Sequence, residues 1–428
     1  MRSVTMDTER RSRGRLSALT TIAYRNIWRN GRRTALCVVA VAVAVFFNIF
    51  MQAWIVGMVD GIEEVVKTYE TGHVNVTSVG FEAEKEYYPV QYPVAEDRAL
   101  QDVVAELESL PGVVAALPRI TAYASLFDST VKHALLWGVD MERELRVNVF
   151  NLTDRDDGLL EGRFPGDGNE CAVGSEFARK SGLRVGDPLP LKTVSSQFSD
   201  KYWNPRIVGI FEFDYRKFDE EVIIVPIARL QRILGLEDRT QQLFVYARDA
   251  NDSRRLKGLV ADVMGPGHVV REWGDSYWVA MMRQMNIVYV VVFAVFQIVA
   301  SFLIINTVLM VIHERIKEIG MMGALGMTRA EIVAVFFLEA VFLSVFGAAV
   351  GTVVGGAASA IGSMFPIDMN AMMGGGMKEF PVSGTLFLSF SPAILAQGFV
   401  FGVAVSAACT LIPSLKSAFI EPVEALRR

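Results

Sequence analysis

His313-Glu-Arg-Ile-Lys-Glu-Ile-Gly-Met-Met-Gly-Ala-Leu-Gly-Met-Thr-Arg-Ala-Glu331 is a short charged stretch, punctuated by glycine, between two long apolar segments. It is too small to fold alone. Gly320, Gly323 and Gly326 recur at every third position, and residues without a Cβ let a backbone approach another surface closely. Glu314, Arg315, Lys317 and Glu318 add groups for charge-assisted contacts. Two readings are open: a solvated loop at a membrane surface whose glycines merely end helices, and a coupling element that faces the cytoplasm.

Outward from this stretch, the chain is 428 residues long and 52% hydrophobic, and its apolar residues gather into four blocks, 35–59, 287–312, 332–361 and 393–412. Each block reaches the roughly 20 residues that cross a hydrocarbon core. Lipid offers the backbone no partners, so each is expected to be helical, with Asn48, Gln52, Gln297 and Asn306 turned toward protein or a cavity. The fold class is therefore an α-helical membrane protein with four transmembrane helices and a large α+β extracytoplasmic domain inserted between the first and second.

Charge sets the orientation. Residues 1–34 carry nine Arg and no Lys, against only Asp7 and Glu9, which places the N-terminus in the cytoplasm. The 313–331 stretch and the 413–428 tail, with Lys416, Arg427 and Arg428, fall on the same side. The 362–392 loop and the 60–286 segment fall outside. A cleavable signal peptide ending near Ala40-Val-Ala42 is the rival reading, but the apolar run continues to Val59, as a retained anchor does. Leu16, Leu19, Ala23 and Ile27 share one helical face and arginines another, so 16–33 reads as an interfacial helix.

Within 60–286, residues 97–120 and 249–273 each read as helix, turn, strand, beside strand candidates His73–Thr77 and Gln242–Ala247. These two halves bracket a segment, about 132–226, rich in β-branched runs and turns, which is expected to be a mainly β subdomain. Such a domain either binds a partner or cargo or is a rigid plug. Cys37 and Cys409 lie in spans, which leaves Cys171 without an intrachain disulfide partner outside. Val405-Ser-Ala-Ala-Cys409 has lipobox-like chemistry, but inside a span Cys409 reads as packing.

Motifs exclude most catalysis. There is no Gly-x-x-x-x-Gly-Lys-Ser/Thr loop to cradle a nucleotide. His73, His133, His268 and His313 lack metal-ligand spacing, and Asp154-Arg-Asp-Asp-Gly158 lacks the distal glutamate of a calcium loop, so it reads as a solvated turn. The methionines of Met369-Asn-Ala-Met-Met-Gly-Gly-Gly-Met377 suit an adaptable outer loop better than a Cu(I) site. No metal, cofactor or nucleic acid is expected on this chain. Gly347, Gly351 and Gly355 repeat a small-xxx-small pattern for close helix packing, within the subunit or between subunits. Phe47, Phe50, Met51, Trp54 and Met58 in the first span, and Tyr289, Phe293 and Phe296 in the second, gather large side chains toward the outer half. They read either as plain lipid contact or as a hydrophobic cavity for acyl chains.

The run Asn306-Thr-Val-Leu-Met-Val-Ile-His-Glu-Arg-Ile-Lys-Glu-Ile-Gly-Met-Met-Gly-Ala-Leu-Gly326 resembles the signature of FtsX-like permeases of ABC transporters, the group containing MacB, LolC and LolE. Leu338-Glu-Ala340, Glu421-Pro-Val-Glu-Ala-Leu-Arg427 and Tyr24-Arg-Asn-Ile-Trp-Arg-Asn-Gly-Arg-Arg-Thr34 fit it too. Thr71-Gly-His-Val-Asn-Val76 and Val208-Gly-Ile-Phe211 look like the lipoprotein-releasing LolC/LolE branch, whereas Ser414-Leu-Lys416 departs from the family's alanine-rich end. The resemblance implies a permease subunit with a MacB-like periplasmic core in a bacterial inner membrane. It implies a second permease, identical or paralogous, and two separate cytoplasmic ATPases that bind the ATP and Mg. Docking on the ATPase would fall to Glu314, Arg315, Lys317, Glu318, Ile319, Gly320, Gly323, Ala324, Leu325, Gly326 and Met327. The implied cargo is lipoprotein or other acylated protein, passed by mechanical transmission to a periplasmic carrier. MacB-like efflux of a drug, toxin or peptide through an adaptor, or FtsX-like signalling to a cell-wall hydrolase, are the alternatives.

Overall fold

The computed structural model describes residues 20–25, 31–127, 133–151, 156–166, 168–213, 215–314, 316–368 and 385–417. The chain divides into a helical unit (Met1–Gly57, Met285–Phe365 and Phe387–Arg428) and an α/β unit (Met58–Gln284 and Pro366–Leu386). The expected interfacial helix is described only at 20–25, which is helical. The methionine-rich loop and the C-terminal tail from 418 lie outside the described residues, as do residues 152–155 of the acidic turn. The rest of that turn closes on itself, with the Gly158 N–H donating to Asp156 Oδ1 at 2.9 Å.

Helix α1, Gly31–Val65, contains Val39-Ala-Val-Ala-Val-Ala-Val45, a run whose β-branched residues favour strand in water. In hydrocarbon the helix satisfies every backbone group internally, and that requirement outweighs propensity. Among the described residues three helices are long and apolar enough to cross a membrane: Thr34–Thr71, Arg329–Met364 and Pro392–Leu411. The expected second block lies in α2, Tyr277–Glu314. Then follow α3, Ile316–Ala324, α4, Arg329–Met364, and α5, Pro392–Ser417.

In the helical unit, α1 seats against glycines on two neighbours. A Cβ placed on Gly347 would lie 2.6 Å from Val41 Cβ, one on Gly351 2.5 Å from the Ala42 carbonyl oxygen, and one on Gly355 3.1 Å from Ile49 Cβ. On α5, a Cβ at Gly398 or Gly402 would meet Ile49 or Val45. Val41, Val45, Ile49, Ala348 and Ile394 form the resulting core. The glycine pattern thus packs within the chain, against α1.

The sheet of the α/β unit runs β11-β1-β10-β2-β3-β9-β5-β8-β4, with β6 also paired to β2 and β7 to β6. The strands are β1 Val74–Ser78, β2 Val113–Leu126, β3 His133–Val139, β4 Leu159–Gly162, β5 Glu170–Gly174, β6 Leu191–Val194, β7 Asp200–Trp203, β8 Arg206–Phe211, β9 Val222–Pro226, β10 Gln242–Ala247 and β11 His268–Glu272. Helices Leu100–Glu108 and Ser253–Met264 precede β2 and β11, in the helix, turn, strand order of both half-domains. Their Val103, Leu107 and Val260 close one aliphatic core with Val74, Val76, Leu243 and Val245.

The segment expected as a subdomain at about 132–226 is fused to this unit through β2, which continues through Pro118 as one 14-residue strand. The first half of β2 pairs with β10 and its second half with β3 and β6. The second core also reaches beyond 226, to Leu230 and Leu234.

Arg119 marks the middle of β2 and is wholly buried. Its Nε and Nη2 donate to Glu144 Oε1 at 3.1 and 2.9 Å, and its Nη1 donates to the Tyr69 carbonyl at 3.1 Å. Its guanidinium carbon lies 4.2 Å from the Trp137 ring and 3.9 Å from the Phe244 ring.

Replacing Gly351 with Ile should force α1 and α4 apart at a cost of about 1–3 kcal/mol, seen as a lower melting temperature of the full chain in detergent. Val353→Ile on the exposed side of α4 should leave the melting temperature unchanged.

Candidate functional site

The stretch between α2 and α4 folds as a helix and a tight reversal. Ile316–Ala324 form α3, and Gly326 follows with φ +90, a left-handed conformation that glycine adopts without steric cost. The Met327 N–H donates to the Met322 carbonyl at 3.2 Å, and the Gly326 N–H to the Gly323 carbonyl at 3.1 Å. This paired closure is the Schellman arrangement, in which the left-handed residue lets its own amide and the next one satisfy the last carbonyls of the helix. Every third residue is thus not equivalent: Gly326 turns the chain, Gly320 is buried, and Gly323 is half-buried.

Helix α4 starts at Arg329, directly after its cap Thr328. Thr328 Oγ1 accepts from the Glu331 N–H at 3.3 Å, while Glu331 Oε2 accepts from the Thr328 N–H at 2.9 Å, a reciprocal capping box. Met327 stands just before this cap and packs with Met322 on Ile332 and Phe336. One methionine therefore serves as the apolar contact of the Schellman closure and as the staple of the following helix. The α3–α4 junction is consequently defined by backbone bonds on both sides.

This closure turns an apolar surface outward. Leu325 is 81% exposed, with Met321 and Ala324 exposed beside it. Lys317 is exposed and Glu318 partly so. Arg315 and the side chains of Glu314 and Ile319 lie outside the described residues. An exposed leucine at a turn closed by hydrogen bonds on both sides can enter an apolar recess of another protein.

The predicted aromatic group is split. Phe46 stacks on Phe50 with ring centroids 5.9 Å apart, and Phe50 meets Trp54 at 6.2 Å, a stripe one residue round the helix from the Val45 and Ile49 face. Phe47 is exposed, whereas Met51 and Tyr289 are partly buried. Met58, in the α/β unit, packs against Ile62, Val66, Val279 and Met282. The side chains of Phe293 and Phe296 lie outside the described residues.

Sequence reasoning missed the cap made by Thr328 and Glu331, although Thr-x-x-Glu before an apolar run is its signature. It also passed over Met321 and Met322, where nothing in the sequence separates the exposed methionine from the packed one. Two histidines serve the backbone: His73 Nδ1 accepts from the Ala247 N–H at 2.9 Å, and His268 Nε2 from the Ala95 N–H at 3.2 Å. Among the described residues no cluster of three His, Cys, Asp or Glu is placed to hold a metal. Burial keeps the Cys171 thiol protonated by raising its pKa, in keeping with a packing role.

Residues 34–263 match the MacB-like periplasmic core domain, and residues 290–422 the FtsX-like permease C-terminal region. The macrolide export ATP-binding/permease protein MacB of Chlorobium luteolum is 29% identical over 52% of this chain and 33% of its own length. An uncharacterized ABC transporter permease of Methanocaldococcus jannaschii is 25% identical over 63% of this chain and 65% of its own. The lipoprotein-releasing system transmembrane protein LolC of Xylella fastidiosa is 22% identical over 76% of this chain and 81% of its own. The chain thus spans a third of the length of the exporter it matches.

Gly326→Val should strain the left-handed turn by about 1–2 kcal/mol and fray the α3 end, so that amides 326 and 327 exchange hydrogen faster in the full chain. Gly326→Asn, which tolerates that conformation, should restore most of the protection.

Proposed function

The chain belongs to the ABC-transporter permeases that join a MacB-like periplasmic core to an FtsX-like C-terminal region, and on that footing we propose that it is the membrane subunit that uses ATP hydrolysis by a separate ATPase to extract acylated proteins from the inner membrane. The observation that carries the coupling role is Leu325, held outward by the Schellman closure on one side and the capped start of α4 on the other. A docked ATPase can push on such a junction without the push being lost in a soft loop. In this reading α2 is also a span, the second of four in chain order, both termini are cytoplasmic, the α/β unit is periplasmic, and a second permease completes the pair.

Lipoprotein cargo is favoured by the match to LolC along 81% of that protein's length. The Phe46, Phe50 and Trp54 stripe on α1 offers apolar surface of the kind that receives acyl chains. Efflux by a MacB-like pair is the second reading, favoured by the higher identity to the macrolide exporter.

Leu325→Asp should cut transport-linked ATPase activity at least tenfold in the reconstituted complex while the α/β unit keeps its melting temperature; unchanged coupling would remove Leu325 from the contact. Trp54→Asp should abolish photocrosslinking to acylated protein and leave the ATPase bound. Normal crosslinking in that variant would shift the reading to efflux.

A further inference from the structure

The α/β unit contains a cavity of about 460 Å³ that the cargo reading does not use. It lies on the face of the sheet opposite the first aliphatic core. On β1, Val74 and Val76 enter that core while Asn75 and Thr77 line the cavity; on β10, Leu243 and Val245 enter it while Gln242 lines the cavity. Thr121 of β2 completes the floor. None of these four polar side chains is more than 8% exposed. Buried polar groups are costly where an aliphatic residue would pack as well. Three adjacent strands carry them here, and Asn75 Nδ2 donates to Gln242 Oε1 at 3.2 Å along that floor.

The walls are aromatic, with Tyr88, Tyr123, Trp137, Tyr215, Phe218 and Trp278 among the lining. Burial, followed by the charges of Glu70 and Glu221, holds the Tyr215 phenol well above the usual range; burial, then Glu70, Tyr123 and Glu221, pushes Tyr88 up to about 12. These tyrosines stay neutral and can present ring faces and hydroxyls.

The charged lining is acidic. It holds six carboxyl groups and three cations; burial raises the Glu70 carboxyl to about 7, against the pull of Lys217 and a hydrogen bond from Trp278, and two of the cations, Lys85 and Arg271, pair with Glu82. Glu272 and Asp275 pair with Arg254 and Lys257. Lys217 is the remaining cation of the lining, and its charge acts on the buried Glu70. A cation would meet carboxylates and the negative faces of tyrosine and tryptophan rings.

We propose that this cavity is a binding site for a small organic cation, an amine or guanidine carried on an apolar body. The cationic head sits among Glu70, Glu221 and the tyrosine rings, the apolar body lies along Trp137 and Phe218, and any polar substituent meets the Asn75 and Gln242 floor. The volume is that of a small-molecule pocket. The site joins the π-helical turn Val66–Thr71 to the first turn of α2 at Tyr277 and Trp278, so an occupant would tie those two segments together. π-Helical turns recur at functional sites. The inference goes beyond the proposed transport role and does not depend on the cargo.

The test uses the full chain in lipid nanodiscs with rhodamine 6G as the cationic probe and fluorescein as its anionic counterpart. Saturable rhodamine binding that quenches tryptophan fluorescence is expected, with no saturable fluorescein binding. The Glu70→Gln/Glu221→Gln pair should weaken rhodamine binding about tenfold or more, and Lys217→Met should tighten it, by loss and gain of favourable charge. The opposite signs of these changes separate the site from misfolding and from partition into lipid. Equal binding by all variants, binding of both dyes alike, or capture of an oligolysine peptide without rhodamine would overturn the proposal. Coupled ATPase activity is recorded alongside, since its loss bears on the transport reading and leaves the cavity result standing.

Discussion

Backbone hydrogen bonding at the places where helices stop is the constraint on which this structure depends. Within the long apolar helices every N–H and C=O is satisfied by the helix itself, so the sequence there needs only apolar residues and room for neighbours. The difficult positions are the ends. At α3 the last carbonyls are taken by the amides of Gly326 and Met327, and at α4 the first amides are taken by Thr328, with no residue between the two solutions. At the far end of the first long helix the Tyr69 carbonyl is met by a buried guanidinium.

That guanidinium shows how the α/β unit is held together. Arg119 is desolvated completely, a cost of several kcal/mol that only full partnering offsets. Glu144 supplies the opposite charge, and Asn148 in turn donates to Glu144 and to the Tyr246 hydroxyl, each at 2.9 Å. The network therefore touches the π-helical turn, β2, β3 and β10, and leaves no member to water. In the helical unit the corresponding device is apolar: Val41, Val45 and Ile49 enter grooves opened by glycines on α4 and α5. Polar completeness orders one unit and close backbone approach the other.

Much of this was legible in the sequence because it follows from periodicity. The apolar blocks, the Gly347, Gly351 and Gly355 repeat, and the two helix, turn, strand passages each declare a local geometry. The partner of the glycine repeat was not legible, since Val41 and Ile49 look like any other lipid-facing residues until α1 is placed. Continuous β2 was hidden by Pro118, which suggests a break although it sits in register with Leu243. Arg119 was hidden further: charged residues are read as exposed, and its partners lie 25 and 50 positions away. In the 313–331 stretch the glycines and charges were visible, but which apolar side chain would point outward depends on a closure six residues long, and the exposure of Leu325 follows from that geometry alone.

The central claim is that Leu325 seats in a partner ATPase, and a photoreactive amino acid placed at position 325 in the full chain in native membranes tests it most directly. The account predicts a crosslink to a nucleotide-binding protein whose yield changes when ATP is trapped. A crosslink to lipid or to another permease span, unchanged by nucleotide, would contradict it.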